Sequence, residues 1–159
     1  MPATFAFYES NGGGESSDVI TNLNFGSDDG KDLNTSTYPI SAGSNSYSKY
    51  IRARFTDSFT EISNMKFWQS APSGGGYVTG EAIKAQANVV YATPSQDDTG
   101  DDDVPLVVGS ALAIQSAAGT STITAPGYSK YLRLQLQSTG STPSGAVAQK
   151  IFTFQYDEI

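Results

Sequence analysis

Apolar and polar residues alternate along this chain with a period of two, most plainly over residues 47–55. There Ile51, Ala53 and Phe55 fall on one side and Tyr50, Arg52 and Arg54 on the other. That periodicity belongs to a β-strand with one face against a core. Residues 128–137 repeat it, with Leu132, Leu134 and Leu136 opposed to Tyr131, Arg133 and Gln135. The leucine and isoleucine side is expected to face inward. Tyr50 with Arg52, and Tyr131 with Arg133, are then expected as matching exposed pairs. Further strands are predicted over residues 4–8, 19–25, 62–68, 89–92, 106–108, 111–115, 121–124 and 150–156. Each is bounded by Gly, Pro, Asn, Asp or Ser clusters. One short helix is predicted over residues 80–87, with Thr79 as its cap. Many short strands separated by turn signals give an all-β fold, an antiparallel β-sandwich of immunoglobulin-like or jelly-roll-like type.

The chain contains an internal echo. Tyr47-Ser48-Lys49-Tyr50-Ile51-Arg52-Ala53-Arg54-Phe55 returns as Tyr128-Ser129-Lys130-Tyr131-Leu132-Arg133-Leu134-Gln135-Leu136. A second echo pairs Phe7-Tyr8-Glu9-Ser10 with Phe67-Trp68-Gln69-Ser70, each followed by three glycines, Gly12 to Gly14 and Gly74 to Gly76. We read these as a duplicated β unit, roughly residues 4–64 and 65–159, within one domain spanning residues 1–159. A length of 159 residues suits a single domain.

Composition narrows the chemistry. Cysteine and histidine are both absent, which removes disulfides, thiolate sites, imidazole bases and the commonest metal ligand. No catalytic, cofactor-binding or metal-ligating residue is assigned, and the chain is read as non-enzymatic. Sixteen acids against nine bases give a net charge of -7, which argues against phosphate-led nucleic-acid binding. No signal peptide is evident at the N-terminus, and no apolar run approaches the ~18 residues that cross a bilayer. The expectation is a soluble chain without nucleic-acid or membrane partners.

Several groups stand out as candidate contacts. Tyr50, Arg52, Tyr131 and Arg133 are residue types that interfaces favour, although a cross-strand stack covering the sheet uses the same residues. Trp68 and Tyr77 are aromatic contact candidates: exposed, they suit sugar stacking, and buried, they suit a core. Gly127-Tyr128 before a long strand has the form of a tyrosine corner. The run Gln96-Asp97-Asp98-Thr99-Gly100-Asp101-Asp102-Asp103 holds five acids. It departs from the helix-flanked calcium-loop spacing and is read as a solvated loop. Residues 104–156 contain no acid, so the acidic loop of one copy and the mildly basic second half of another are expected to meet head to tail. Glu61 and Glu81 are carboxylates of the kind a glycosidase pairs, but nothing in their context places them in one cleft.

Two segments carry a resemblance. Ile123-Thr124-Ala125-Pro126-Gly127-Tyr128-Ser129-Lys130-Tyr131-Leu132-Arg133-Leu134-Gln135-Leu136 and Phe152-Thr153-Phe154-Gln155-Tyr156-Asp157-Glu158-Ile159 resemble small immunoglobulin-like or related β-sandwich structural proteins of tailed phages, head decoration proteins among them. The likeness lies in composition and strand style across most of the chain, and it carries no family residue over. It implies a virion structural protein, a decoration or cement protein that binds the major capsid protein as a homo-oligomer and stabilises the shell. By the same resemblance the chain is made in the host cytoplasm and sits on the capsid surface of the bacteriophage. A tail or fibre protein, or an extracellular module binding carbohydrate or a host surface, is the alternative.

Overall fold

The structure, a computed structural model, describes residues 2–98, 100–145 and 148–159. Its strands are β1 (Thr4–Glu9), β2 (Asp18–Ile20), β3 (Lys49–Thr56), β4 (Ile62–Ala71), β5 (Glu81–Val89), β6 (Asp102–Asp103), β7 (Leu112–Ala113), β8 (Gly127–Tyr128), β9 (Tyr131–Ser138) and β10 (Ile151–Glu158). They form two antiparallel sheets. The larger runs β2-β1-β3-β9-β5-β6, with β8 also paired to β3, and the smaller runs β10-β4-β7. The chain is an all-β sandwich, as its alternation requires.

Between the sheets lies one apolar core. The larger sheet contributes Ile51, Ala53 and Phe55 from β3, Leu132, Leu134 and Leu136 from β9, and Ile83 and Ala85 from β5. The smaller contributes Ile62, Met65 and Phe67 from β4. Rings from β1 and β10 close one flank: Phe5 stacks on Phe154 at 5.3 Å, and Phe55 meets Tyr156 edge-on at 4.9 Å. Burying a Phe or Leu side chain contributes roughly 1.5–3 kcal/mol, so this layer carries the fold. The inward residues of β3 and β9 are those the alternation selected.

The echoing segments become neighbours. Ile51 lies directly across from Leu132 and Tyr50 across from Arg133. Ile51 and Leu132 are themselves counterparts in the echo, so the two strands run antiparallel about a local twofold passing through that pair. The second echo is placed differently: residues 7–9 end β1 in the larger sheet, whereas residues 67–70 belong to β4 in the smaller one.

The strands expected over residues 106–108 and 121–124 do not form, and three further expectations change. Residues 80–87 are not helical: β5 pairs with β9 from Glu81↔Ser138 to Val89↔Tyr131. Their Ala, Glu, Lys and Gln content favours helix locally, but Glu81, Ile83 and Ala85 alternate inward, and a full ladder to β9 outweighs propensity. The only helical turns among the described residues are short 3₁₀ segments, Ser73–Gly76 and Val108–Ser110. Within β5, Asn88 adopts a left-handed φ of 62° at a bulge. Its amide donates to the Ala113 carbonyl at 2.8 Å and accepts from the Gln115 N–H at 2.7 Å, fastening the bulge to the chain around β7.

The second change concerns the acidic run, which is solvated only in part: Asp97, Asp102 and Asp103 are exposed, but the run is tied down. Asp102 and Asp103 form β6 against Lys84 and Ala85, and Asp98 and Asp101 turn inward onto Arg133. The third concerns Tyr50, Tyr131 and Gln135, which are not exposed. Tyr50 retains 1% of its accessible surface, Tyr131 5% and Gln135 none. The outer face of the larger sheet is itself roofed at this end by residues 9–12, 46–48 and 91–98.

Candidate functional site

On that outer face the Tyr and Arg side chains form one continuous array across four strands. Arg54 lies 5.5 Å from the Tyr8 ring and 5.3 Å from Tyr128, and its Nη1 donates to the Tyr8 hydroxyl at 3.2 Å. Arg52 sits 3.9 Å above Tyr128 and 4.6 Å from Tyr131. The rings continue through Tyr131 and Tyr50 to Tyr91, with centroids 5.1 to 6.0 Å apart. A guanidinium over a tyrosine face contributes ~0.5–1 kcal/mol at exposed sites and more when desolvated. Alternation produces the array, since every contributing residue of β3 and β9 occupies an even or odd position opposite to the core set.

The two ends of the array differ. At the closed end Arg133 reaches Asp101 through Nε at 3.1 Å and Nη2 at 2.5 Å, and Asp98 through Nη1 at 3.2 Å. The Asp101 hydrogen bonds hold the Arg133 guanidinium well above its ordinary pKa. Burial raises the phenols of Tyr50 and Tyr91. The Tyr131 hydroxyl meets Ser10 Oγ at 3.0 Å, and Gln135 Nε2 donates to the Ser46 and Ser95 carbonyls. Of the four residues expected at an exposed interface, Tyr50, Tyr131 and Arg133 are therefore consumed inside the domain.

At the open end, Tyr8, Arg52, Arg54 and Tyr128 are only half-buried. Arg52 is held by Ser17 Oγ, at 3.1 Å from Nε and 2.7 Å from Nη2. Among the described residues neither Arg52 nor Arg54 forms an ion pair, while Lys31, Lys49, Lys84, Arg133 and Lys150 all do. This end presents two guanidiniums on an aromatic bed. Tyr8 and Arg54 belong to it and were missed as site residues, because their register against Arg52 and Tyr128 depends on which strands pair. Tyr128 makes no tyrosine corner among the described residues; its ring is the platform beneath Arg52.

Trp68 and Tyr77 do not share a site. Phe67 and Gln69 point into the sandwich, so Trp68 between them points outward, opposite Thr153 of β10, and is half-buried. Tyr77 lies on the inner side, donating its hydroxyl to Gln69 Oε1 at 2.7 Å, with Lys150 Nζ 5.0 Å from its ring. Burial pushes its phenol up to about 12. Glu81 is no partner for Glu61. It is buried against Lys150 at 2.9 Å and accepts the Val78 N–H at 3.0 Å, near the end of the sandwich remote from Glu61.

A cavity of about 470 Å³ opens between the sheets at this end. Phe7, Ile51, Ile83, Leu136 and Phe67 form its floor and back, while residues 20–25 and 148–152 form its banks. Its volume falls within the ~300–1,000 Å³ typical of ligand pockets. The carboxylates gather into no group of three or more that could hold a metal among the described residues, and no helix is long and apolar enough to cross a membrane. No protein-family model, curated protein or solved structure matches the chain.

Proposed function

We propose that this chain is a non-enzymatic structural protein of a bacteriophage particle, a capsid decoration or cement protein. It docks on the shell through the open end of the Tyr/Arg array. The observation supporting this reading is that Arg52 and Arg54, in a chain of net charge -7, lie over Tyr8 and Tyr128 without a carboxylate partner among the described residues. Tyr and Arg presented side by side on a sheet face suit docking against an acidic surface, where aromatic and guanidinium anchors carry most of the binding energy. The internal ion pair between Arg133 and Asp101 displays the same chemistry in its occupied form.

The test is to add the purified chain to shells that lack it and count copies bound per shell subunit. Near-stoichiometric binding that Arg52→Glu with Arg54→Glu abolishes supports decoration through this face. A few copies per particle favour the tail, and no binding at all overturns the virion reading. Half-exposed Trp68 on the smaller sheet supports a second reading, a fibre or carbohydrate-binding module. Quenching of its fluorescence by oligosaccharides, with no shell binding, favours that one.

A further inference from the structure

The chain displays an apolar finger as well as a cavity whose floor is apolar and whose only charged lining residues among those described, Glu81 and Lys150, neutralise each other. Leu106, Val107 and Val108 retain 37%, 60% and 49% of their accessible surface, three consecutive exposed aliphatic residues. Val107 is fully extended, at φ −140° and ψ 149°, and the 3₁₀ turn Val108–Ser110 follows it, so the segment projects and folds back. Isolated exposed aliphatics need no explanation, but a contiguous trio beside a strand edge is a candidate contact surface.

Finger and cavity lie on opposite flanks of the smaller sheet at one level. Gln69 of β4 donates its N–H to the carbonyl of Pro105, the residue preceding the finger, at 2.8 Å. On its other side Gln69 is in register with Phe152, a wall of the cavity. A neighbour displaced sideways across this sheet would therefore bring its finger to the cavity mouth. Charge favours the same match. Residues 104–129 contain no charged side chain, and neither do residues 19–27, which include one bank of the mouth. In a chain of net charge -7, a contact through surfaces that bring no acids together avoids self-repulsion between copies. Of the acidic loop expected to mediate a head-to-tail contact, Asp98 and Asp101 are answered by Arg133 within their own chain.

We propose that the cavity receives residues 106–108 of a second copy, giving a heterologous contact that propagates copies head to tail. Such a contact uses different surfaces on its two sides, so it builds rings or open chains rather than closed two-copy pairs.

Sedimentation of the full chain over a wide concentration series tests this. The mass of the wild-type chain is expected to rise from 16.8 kDa in single-chain steps, and to rise more readily in salt, which screens the net charge. Val107→Asp, at an exposed position, removes the finger's apolar tip. Leu23→Trp fills the mouth, with Asn24→Trp on the same bank as the substitute if Leu23→Trp loses cooperative unfolding. Each variant alone is expected to remain a single chain. Their mixture is expected to stop at two chains, because it retains one working finger and one working cavity. The proposal is overturned by a wild-type chain that stays single throughout, by a Val107→Asp chain that assembles like the wild type, or by a mixture that grows past two. Uptake of anilinonaphthalene sulfonate by a chain that never assembles assigns the cavity to a small apolar ligand and also overturns it. Because no shell is present, failure here leaves the docking reading standing on its own test.

Discussion

Tyr50 stands directly across from Arg133, on whose guanidinium Asp98 and Asp101 close. One arginine thus anchors two of the five acids of the run, while Lys84 pairs with Asp103. Arg133→Ala strands two inward-turned carboxylates and is expected to cost about 2–4 kcal/mol, between the values for exposed and fully buried pairs. Urea unfolding measures the loss, and hydrogen exchange should show lost protection in residues 101–104. Arg133→Lys should recover only part of it, since an ammonium lacks the planar fork that engages Asp101 through two nitrogens. Equal stability of Arg133→Ala and wild type would sink this account.

Lys49 and Glu9 form an ion pair with no exposed surface on either side chain, at 2.8 Å. Removing one partner leaves a buried charge, so Lys49→Met is expected to lose roughly 3–5 kcal/mol. Lys49→Met with Glu9→Leu removes both charges and should recover most of that. Chemical denaturation of the two single variants and the double gives the coupling directly. A double variant as unstable as the sum of its singles contradicts the pairing.

Tyr77 gives the fold an alkaline limit. Its phenol is raised to about 12, chiefly by burial, with Glu81 nearby. A group whose pKa is higher in the folded state stabilises it fully below the unfolded value of about 10, and that contribution is lost as pH rises through the folded value. Stability is therefore expected to fall between about pH 10 and 12, and Tyr77→Phe should flatten the decline. Tyr50 and Tyr91 are raised in the same direction and add to the slope. A titration followed by tyrosine absorbance near 295 nm checks it: all nine tyrosines ionising together near pH 10 would refute the burial.

Phe67 and Trp68 are adjacent but face opposite ways. Phe67 is fully buried and stacks on Phe152 at 5.4 Å. Phe67→Ala is expected to cost about 3–5 kcal/mol, and Trp68→Ala less than about 1.5 kcal/mol, because its ring leaves a half-open surface rather than the core. Thermal unfolding of both variants compares them. Equal losses would mean that the register of β4 is reversed.

Alternation in the sequence located the core of the larger sheet, because Ile51, Ala53 and Phe55 report their burial through spacing alone. It could not report that the opposite face is also covered. Tyr50 and Gln135 are buried by residues 46–48 and 91–98, polar segments whose path over the sheet is set by hydrogen bonds such as Gln96 Nε2 to the Asn45 carbonyl at 2.8 Å. Local composition misled at β5, where helix-favouring residues are held extended by β9. The acidic run was visible as charge, but its partner Arg133 lies about thirty residues further along and is found only once β9 is placed. Arg52 was legible as a contact residue. Tyr8 and Arg54 became so only through the pairing of β1, β3 and β8.

The buried Lys49 also determines how the molecule opens. Its ammonium donates to the Gly30 carbonyl at 2.6 Å as well as to Glu9, and the Asn11 side chain is held by Asp29 and Ser48. The turn around Gly30 therefore cannot lift away without stripping partners from a charge that has no water to turn to. Amides 9–12 and 28–32 should then exchange with solvent only when the whole larger sheet comes apart, as one unit with a single opening rate, and not as a surface loop that frays ahead of the strands beneath it.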